Sequence, residues 1–391
     1  MKAIINTKLV MLDGIIWDGA MTYENGRIVD AGWAKDVNIP EGTECIDAGG
    51  LYTAPGLIDV HIHGGGDYLF AENPQYCSDY FIKHGETTVL PTLYHNLTFT
   101  DMIEGAARIR EASKTGTGKI MNGLYMEGPY MSLSGSFQSG IKWKNVIDKS
   151  EYEALVDQLG DQVRVWAIDP ARENIDAFMA YAKEKHPDVI FAYGHSRASA
   201  QECRRVHKYG VKVRTHLGDG GKAKGFAQGT IGAGCDEYTL YDPDLYAEII
   251  CDQNGVHLDP DMVKMIVRTK GVERTILITD SMFARENYTN NEAEGIAYGP
   301  DLNYDDVGHL AGSRMTLENA VRNLMTHTGY GLCHAIRFAT ANPAKMLGLE
   351  HEIGTLESGM KANFILIDDM VHVNKVFLEG DLAVENGEVV L

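Results

Sequence analysis

The 391-residue chain is short of positive charge: 35 Lys and Arg stand against 55 Asp and Glu, a formal charge of −20. Nucleic acid and anionic membranes are polyanions that need a basic footprint, so neither is expected as the main partner. No run approaches the roughly 18 apolar residues of a transmembrane helix. The first residues, MKAIINTKLVMLDG, alternate as a strand does and lack the compact apolar stretch and small-residue cleavage site of a secretion signal. Paired cysteines are missing too. Cys45, Cys77, Cys203, Cys235, Cys251 and Cys333 are scattered without a CxxC, which argues for reduced thiols and a cytoplasmic location. Internal repeats and low-complexity runs are absent as well. What remains, 44% hydrophobic and 23% charged residues, is the composition of a globular chain with a sizeable core.

Residues 1–52 read as short strands and turns, with Glu24-Asn25-Gly26 as a hairpin signal. The stretch 354–391 has the same texture and carries Glu385-Asn386-Gly387. Isolated hairpins bury too little surface to persist. The two ends are therefore expected to build one small β-sandwich domain. Between them, over 53–353, apolar runs alternate with helical patterns, the signature of βα units around a parallel sheet. Eight runs qualify: PGLIDVHI, ETTVLPTL, KIMNGLYME, QVRVWAID, VIFAYGHS, VKVRTHLG, YAEIICD and RTILITD. Helical segments such as IDAFMAYAKEKH, ASAQECRRVHKYG and DPDMVKMIVRTKG lie between them. The fold class predicted is α/β, a (β/α)8 TIM-like catalytic barrel, with a doubly wound open sheet as the alternative. Residues 281–312, rich in Asn, Gly, Tyr and Asp, are long enough to serve as a lid or substrate loop.

Catalytic groups of a barrel sit at the C-terminal ends of its strands. Read that way, strand one ends in His61-Ile62-His63, strand three in Glu127, strand five in His195, strand six in His216 and strand eight in Asp280, while His257 follows strand seven. One such histidine is an ordinary surface or core residue. Four imidazoles and two carboxylates at matching strand ends point to a metal site. His61 and His63, two apart on a strand, face the same way and can grip one cation. Imidazole with carboxylate suits zinc, with iron, manganese or cobalt as alternatives. The donors suffice for one or two divalent metals, with Glu127 able to bridge. Two dications repel strongly, and the carboxylates of Glu127 and Asp280 plus a hydroxide would cut a formal +4 to +1.

The blocks PGLIDVHIHG, MEGPY (126–130), YGHS (193–196), THL (215–217), NGVH (254–257), ITDS (278–281) and LAGS (310–313) resemble the signatures of the amidohydrolase superfamily. Within it they are most similar to the N-acetylglucosamine-6-phosphate deacetylase branch, to which MEGP, with Glu in place of a carbamylated lysine, is the more specific pointer. The resemblance covers nearly the whole chain, including GTLESGMKANFILID. It implies that Glu127, His195 and His216 hold the main metal and His61 and His63 a second. It makes Asp280 the general base that takes a proton from water and returns it to the leaving amine. His257 would hydrogen-bond substrate and polarise the scissile carbonyl, and Leu310 would face the substrate. A homodimer is also expected from this resemblance.

The substrate-facing motifs depart from that branch. After THL its members carry an F/Y-N-A-M run that grips the sugar phosphate, and an arginine further on. Here Gly218 is followed by Asp219 and Gly220 in that register, and Ala227 stands where the arginine would be. An aspartate disfavours a docked phosphate, so Lys222 and Lys224 are the candidates for its positive charge. Past MEGPY, Phe137 or Gln138 replaces a histidine of the branch. His95, after strand two, and His309, beside LAGS, lie near the barrel mouth and could touch substrate, though an ordinary packing or surface role is the preferred reading of each. The glycines of HGGGDY (63–68) lack the Lys-Ser/Thr of a P-loop and read instead as room for backbone near the metals. Three functions are therefore weighed. One is a deacetylase for N-acetylglucosamine 6-phosphate or a close analogue. Another is an amidohydrolase for an unphosphorylated N-acyl amine or cyclic amide. The third is a catalytically silent scaffold, which predicts a broken metal set.

Overall fold

The computed structural model describes residues 1–132, 143, 146–219, 232–283, 299–304 and 310–391. All eight expected barrel strands form, and they pair in chain order, each parallel to the next. They run Leu57–Ile62, Glu86–Tyr94, Leu124–Glu127, Val163–Ile168, Ile190–Tyr193, Val211–Arg214, Tyr246–Ile250 and Thr275–Ile278. The first, third, fifth, seventh and eighth are buried at every residue. That is why they read as continuous apolar runs rather than alternating ones: helices cover the outside and side chains fill the inside. The third strand starts later than KIMNGLYME implies. Residues Gly116–Ile120 form a 3-10 turn instead, packed so closely that a Cβ on Gly118 would lie 1.9 Å from the Ala112 carbonyl oxygen.

The seam between strands eight and one is closed largely by one side chain. The buried Asp59 carboxylate accepts the His61 N–H at 3.0 Å and, from strand eight, the Thr279 hydroxyl at 2.5 Å and the Thr279 N–H at 3.3 Å. Beyond it, the Asp280 N–H donates to the His61 carbonyl at 3.0 Å. The connecting helices start where capping chemistry says they should. Thr98 and Ser199 each close a capping box, on Phe99–Ala112 and Ala200–His207, and Asp259 caps Pro260–Lys270 with proline in the first turn.

Strands from both chain ends join one nine-stranded sheet, in which Tyr52–Pro55 pairs with Phe364–Ile367 and with Lys2–Met11. The sheet curls on itself. Tyr23 and Phe364 come from strands separated by two others, yet their rings lie 5.3 Å apart, and Phe364 stacks on Phe377 at 4.4 Å. These rings, with Ile4, Met21, Leu356 and Met360, form a second core distinct from the barrel's. Among the described residues no helix is long and apolar enough to cross a membrane.

Candidate metal centre and active site

The strand ends bring the histidines and carboxylates together. Three overlapping sets have their donor atoms within 4.8 Å of one another: His61, His63 and Glu127; Glu127, His195 and His216; and His61, His216 and Asp280. Glu127 is the centre of the cluster. Its Oε1 lies 3.1 Å from Nε2 of both His195 and His216, and its Oε2 lies 3.3 Å from His63 Nε2. Asp280 Oδ1 is 3.0 Å from His63 Nε2 and 3.4 Å from His61 Nε2. All of these residues are buried except His195, which is partly so.

Two residues of the cluster hold unusual backbone. His216 has φ 31° and Asp280 φ 50°, a left-handed region that ordinary side chains avoid. Such strain persists where the surroundings over-determine it, and it turns both side chains inward from the strand ends. Glycine makes room beside Asp280: a Cβ on Gly312 would lie 2.5 Å from the Asp280 carbonyl oxygen. In HGGGDY, a Cβ on Gly64 would lie 2.2 Å from the Tyr68 carbonyl oxygen. That glycine serves a tight ribbon whose start is anchored by the Gly64 N–H on the Ser281 carbonyl at 3.0 Å.

Electrostatics suit a cation. Burial alone would raise the Glu127 carboxyl, but hydrogen bonds from His195, His216 and His63 hold it well below its ordinary value. Burial acts likewise on Asp280, and the bonds from His61 and His63 reverse it, keeping that carboxyl ionised. Burial pulls down the imidazoles of His61 and His195 and prevails there, leaving the neutral form that ligates metals. For His63 and His216 the carboxylates outweigh burial and lift the imidazoles to about 10 and about 9. A divalent cation fits this donor set. Among the described residues His61 Nδ1 is buried without a hydrogen-bonding partner and Nε2 faces carboxylate oxygens no nearer than 3.4 Å, a costly arrangement unless something else takes the lone pair. His63 and His216 turn Nδ1 toward the Thr92 and Asp219 carbonyls, at 3.2 and 3.4 Å, which leaves Nε2 for the centre.

The cavity above the cluster is walled by Tyr94, His95, Asn96, Asp219, Met282, Phe283, Asn303, Tyr304 and Leu310–Gly312. Asp219 and Leu310 thus line this cavity. His95 joins them, its imidazole kept neutral by burial, which pushes it down to about 3. The ends of the 281–312 segment contribute Met282, Phe283 and the ribbon of Leu302–Tyr304 with Leu310–Ser313. Gln138, Phe137, Gly220, Lys222, Lys224, Ala227 and His309 lie outside the described residues. His257 is buried beside the cavity rather than in its wall: Nε2 lies 3.2 Å from the Gly312 carbonyl and Nδ1 3.3 Å from Asp252 Oδ2. Asp252 escaped the sequence reading. It ends the CD of YAEIICD, just past a barrel strand as the clustered histidines are, and that position was its signal. Its carboxylate also accepts the backbone N–H groups of Val256 and His257. Burial opposes ionisation there, but the His257 ring and these N–H groups win and hold the carboxyl at about 2.

The family model for the amidohydrolase family matches residues 52–386. The chain belongs to the amidohydrolase family. It is a hydrolytic enzyme, in a metal-dependent superfamily. It is 29% identical over 367 residues to the N-acetylgalactosamine-6-phosphate deacetylase of Escherichia coli O157:H7, covering 91% of this chain and 94% of that one. It is 26% identical to the N-acetylglucosamine-6-phosphate deacetylase of Haemophilus influenzae, over 92% of this chain and 93% of that one. Among solved structures, the N-acetylglucosamine-6-phosphate deacetylase of Pasteurella multocida superposes with a TM-score of 0.82 at 22% identity, over 97% of this chain and 99% of that one. That likeness supports the barrel with its terminal sheet.

Proposed function

We propose that this amidohydrolase removes the acetyl group from an N-acetylated amino sugar, N-acetylglucosamine 6-phosphate or a close analogue such as its galacto epimer. The observation that carries this reading is the position of Glu127 among His195, His216, His61 and His63, beside an ionised Asp280. The names of its relatives supply the substrate class.

Glu127, His195 and His216 would hold a divalent cation, zinc by the donor set, and His61 and His63 with Glu127 a second. Bound there, the metal would supply Lewis acidity and make water more acidic near neutral pH. Asp280 takes the proton of the attacking water on its carboxylate and delivers it to the nitrogen of the leaving amine. Asp252 holds the His257 ring by Nδ1, and Nε2 faces the Gly312 carbonyl of the cavity wall; released from that carbonyl when substrate binds, Nε2 would donate to the substrate carbonyl or a sugar hydroxyl. Tyr94, Tyr304, Met282 and Phe283 restrict water around the reacting centre.

A second reading, hydrolysis of an unphosphorylated N-acyl amine or cyclic amide, has one observation in its favour. Among the described residues lining the cavity none is Lys or Arg, and the Asp219 carboxylate is there. Turnover of N-acetylglucosamine 6-phosphate, N-acetylgalactosamine 6-phosphate and the two unphosphorylated sugars separates the readings. The phosphorylated substrates should be preferred in kcat/KM by at least about tenfold, the worth of roughly one charge-assisted hydrogen bond. Indifference to the phosphate would replace the first reading with the second.

A further inference from the structure

Arg214 ends the sixth barrel strand, two residues before His216, and is fully buried. A buried guanidinium is costly unless all its donors are used, and here they are spent on the backbone around the metal ligands. Nη1 faces three carbonyl oxygens, those of Tyr193 at 3.0 Å, Gly194 at 3.2 Å and Thr215 at 2.5 Å. Gly194 and Thr215 immediately precede His195 and His216, so Arg214 grips the peptide groups that lead into both ligands. Nη2 donates to the Asp219 carbonyl at 3.0 Å. The same carbonyl faces His216 Nδ1 at 3.4 Å. Nε pairs with Asp236 Oδ1 at 2.6 Å, while Asp236 Oδ2 accepts the Gly218 N–H at 3.3 Å.

We propose that Arg214 is a positioning residue for the metal centre, fixing His195 and His216 as a pair through the carbonyls that flank them. The proposal rests on the reading of those two histidines as ligands, and on nothing about the substrate. His216 sits at φ 31°, and a strained turn of this kind keeps its geometry only while its neighbours hold it. Arg214 holds it from both sides, at Thr215 and at Asp219. By holding the Asp219 carbonyl it also keeps an acceptor opposite Nδ1, which leaves Nε2 free to ligate. Lysine could replace the charge but not the role: its three donors on one nitrogen cannot reach carbonyls on two strands, a loop carbonyl and a carboxylate at once. The Asp219 contact carries the same device into the wall of the substrate cavity.

The test is zinc affinity, measured by competition with a chromogenic chelator on apoprotein prepared from the full chain. Arg214→Met and Arg214→Lys are compared with Arg205→Met, which removes an arginine from the neighbouring helix, where its partners are Asp176 and the Pro170 carbonyl. Arg214→Met should weaken zinc binding by about ten- to hundredfold, the usual cost of losing a residue that orients a ligand. Arg214→Lys should fall between it and the wild type, and Arg205→Met should bind as the wild type does. Should Arg214→Met fail to fold, Arg214→Lys decides alone, with a loss of about threefold or more expected. Folded Arg214 variants that bind zinc as tightly as the wild type would overturn the role, even if their melting temperatures fall. A wild-type protein that takes up no zinc would remove the metal centre itself, and the positioning role with it.

Discussion

Glu127 and Asp280 are both buried carboxylates held ionised by imidazoles, yet their substitution should have different signatures. Glu127 contacts four imidazole nitrogens within 3.8 Å, so Glu127→Ala should release metal and activity together, with metal content read on the purified protein. Asp280→Asn should retain metal and lose about 10²- to 10⁴-fold in kcat, the range attributed to a positioned acid–base group. Asparagine is the apt replacement because it tolerates the left-handed backbone that Asp280 adopts at φ 50°. Survival of activity in Asp280→Asn would remove the proton-transfer role. At this scale much was legible from spacing alone: alternate positions on one strand put His61 and His63 on the same face. Asp252 was not, because a single Asp after an apolar run looks like any turn residue until the His257 ring is seen against it.

Among the secondary-structure elements, the barrel strands were readable because both of their faces are buried, which leaves an unbroken apolar run flanked by turn residues. Their ends were less so. His195 and His216 lie past the hydrogen-bonded ladders, in backbone that tertiary contacts hold. One element junction carries its own prediction. Glu86, at the start of the second strand, is fully buried; its Oε1 accepts the Leu317 N–H at 2.6 Å, at the head of the helix Leu317–Thr328. Oε2 has no partner. Burial, then the nearby Asp59 and Glu318 charges, push its pKa well above the ordinary value. The folded state therefore binds more protons than the unfolded one between the ordinary carboxylate pKa and the raised one, and its stability falls as pH rises through that window. Glu86→Gln keeps the acceptor and removes the ionisation. It should melt about 2 °C higher than wild type at pH 8 and level with it near pH 4, measured by calorimetry; an equal gain at both pH values would exclude ionisation as the cause.

Over the whole molecule, the proposed metal centre draws on the ends of five of the eight strands, so loading it should stabilise the entire barrel. A ligand present at about a thousand times its Kd adds about 4 kcal/mol to folding. Chelation should therefore lower the melting temperature by several degrees, and restoring zinc should recover it. An unchanged melting curve would mean that the cluster holds no tightly bound cation. The chain by itself determined which residues are apolar, where strands and helices alternate, and that imidazoles and carboxylates recur at strand ends, because these depend on local pattern and residue chemistry. Tertiary structure decided the rest. Closing the sheet through Asp59 brought Asp280 to His61 across 219 residues of sequence, burial set which imidazoles are neutral, and the fork of Arg214 tied the peptide groups before His195 and His216 to one loop. Those outcomes depend on distances and dielectric surroundings that exist only once the barrel has closed.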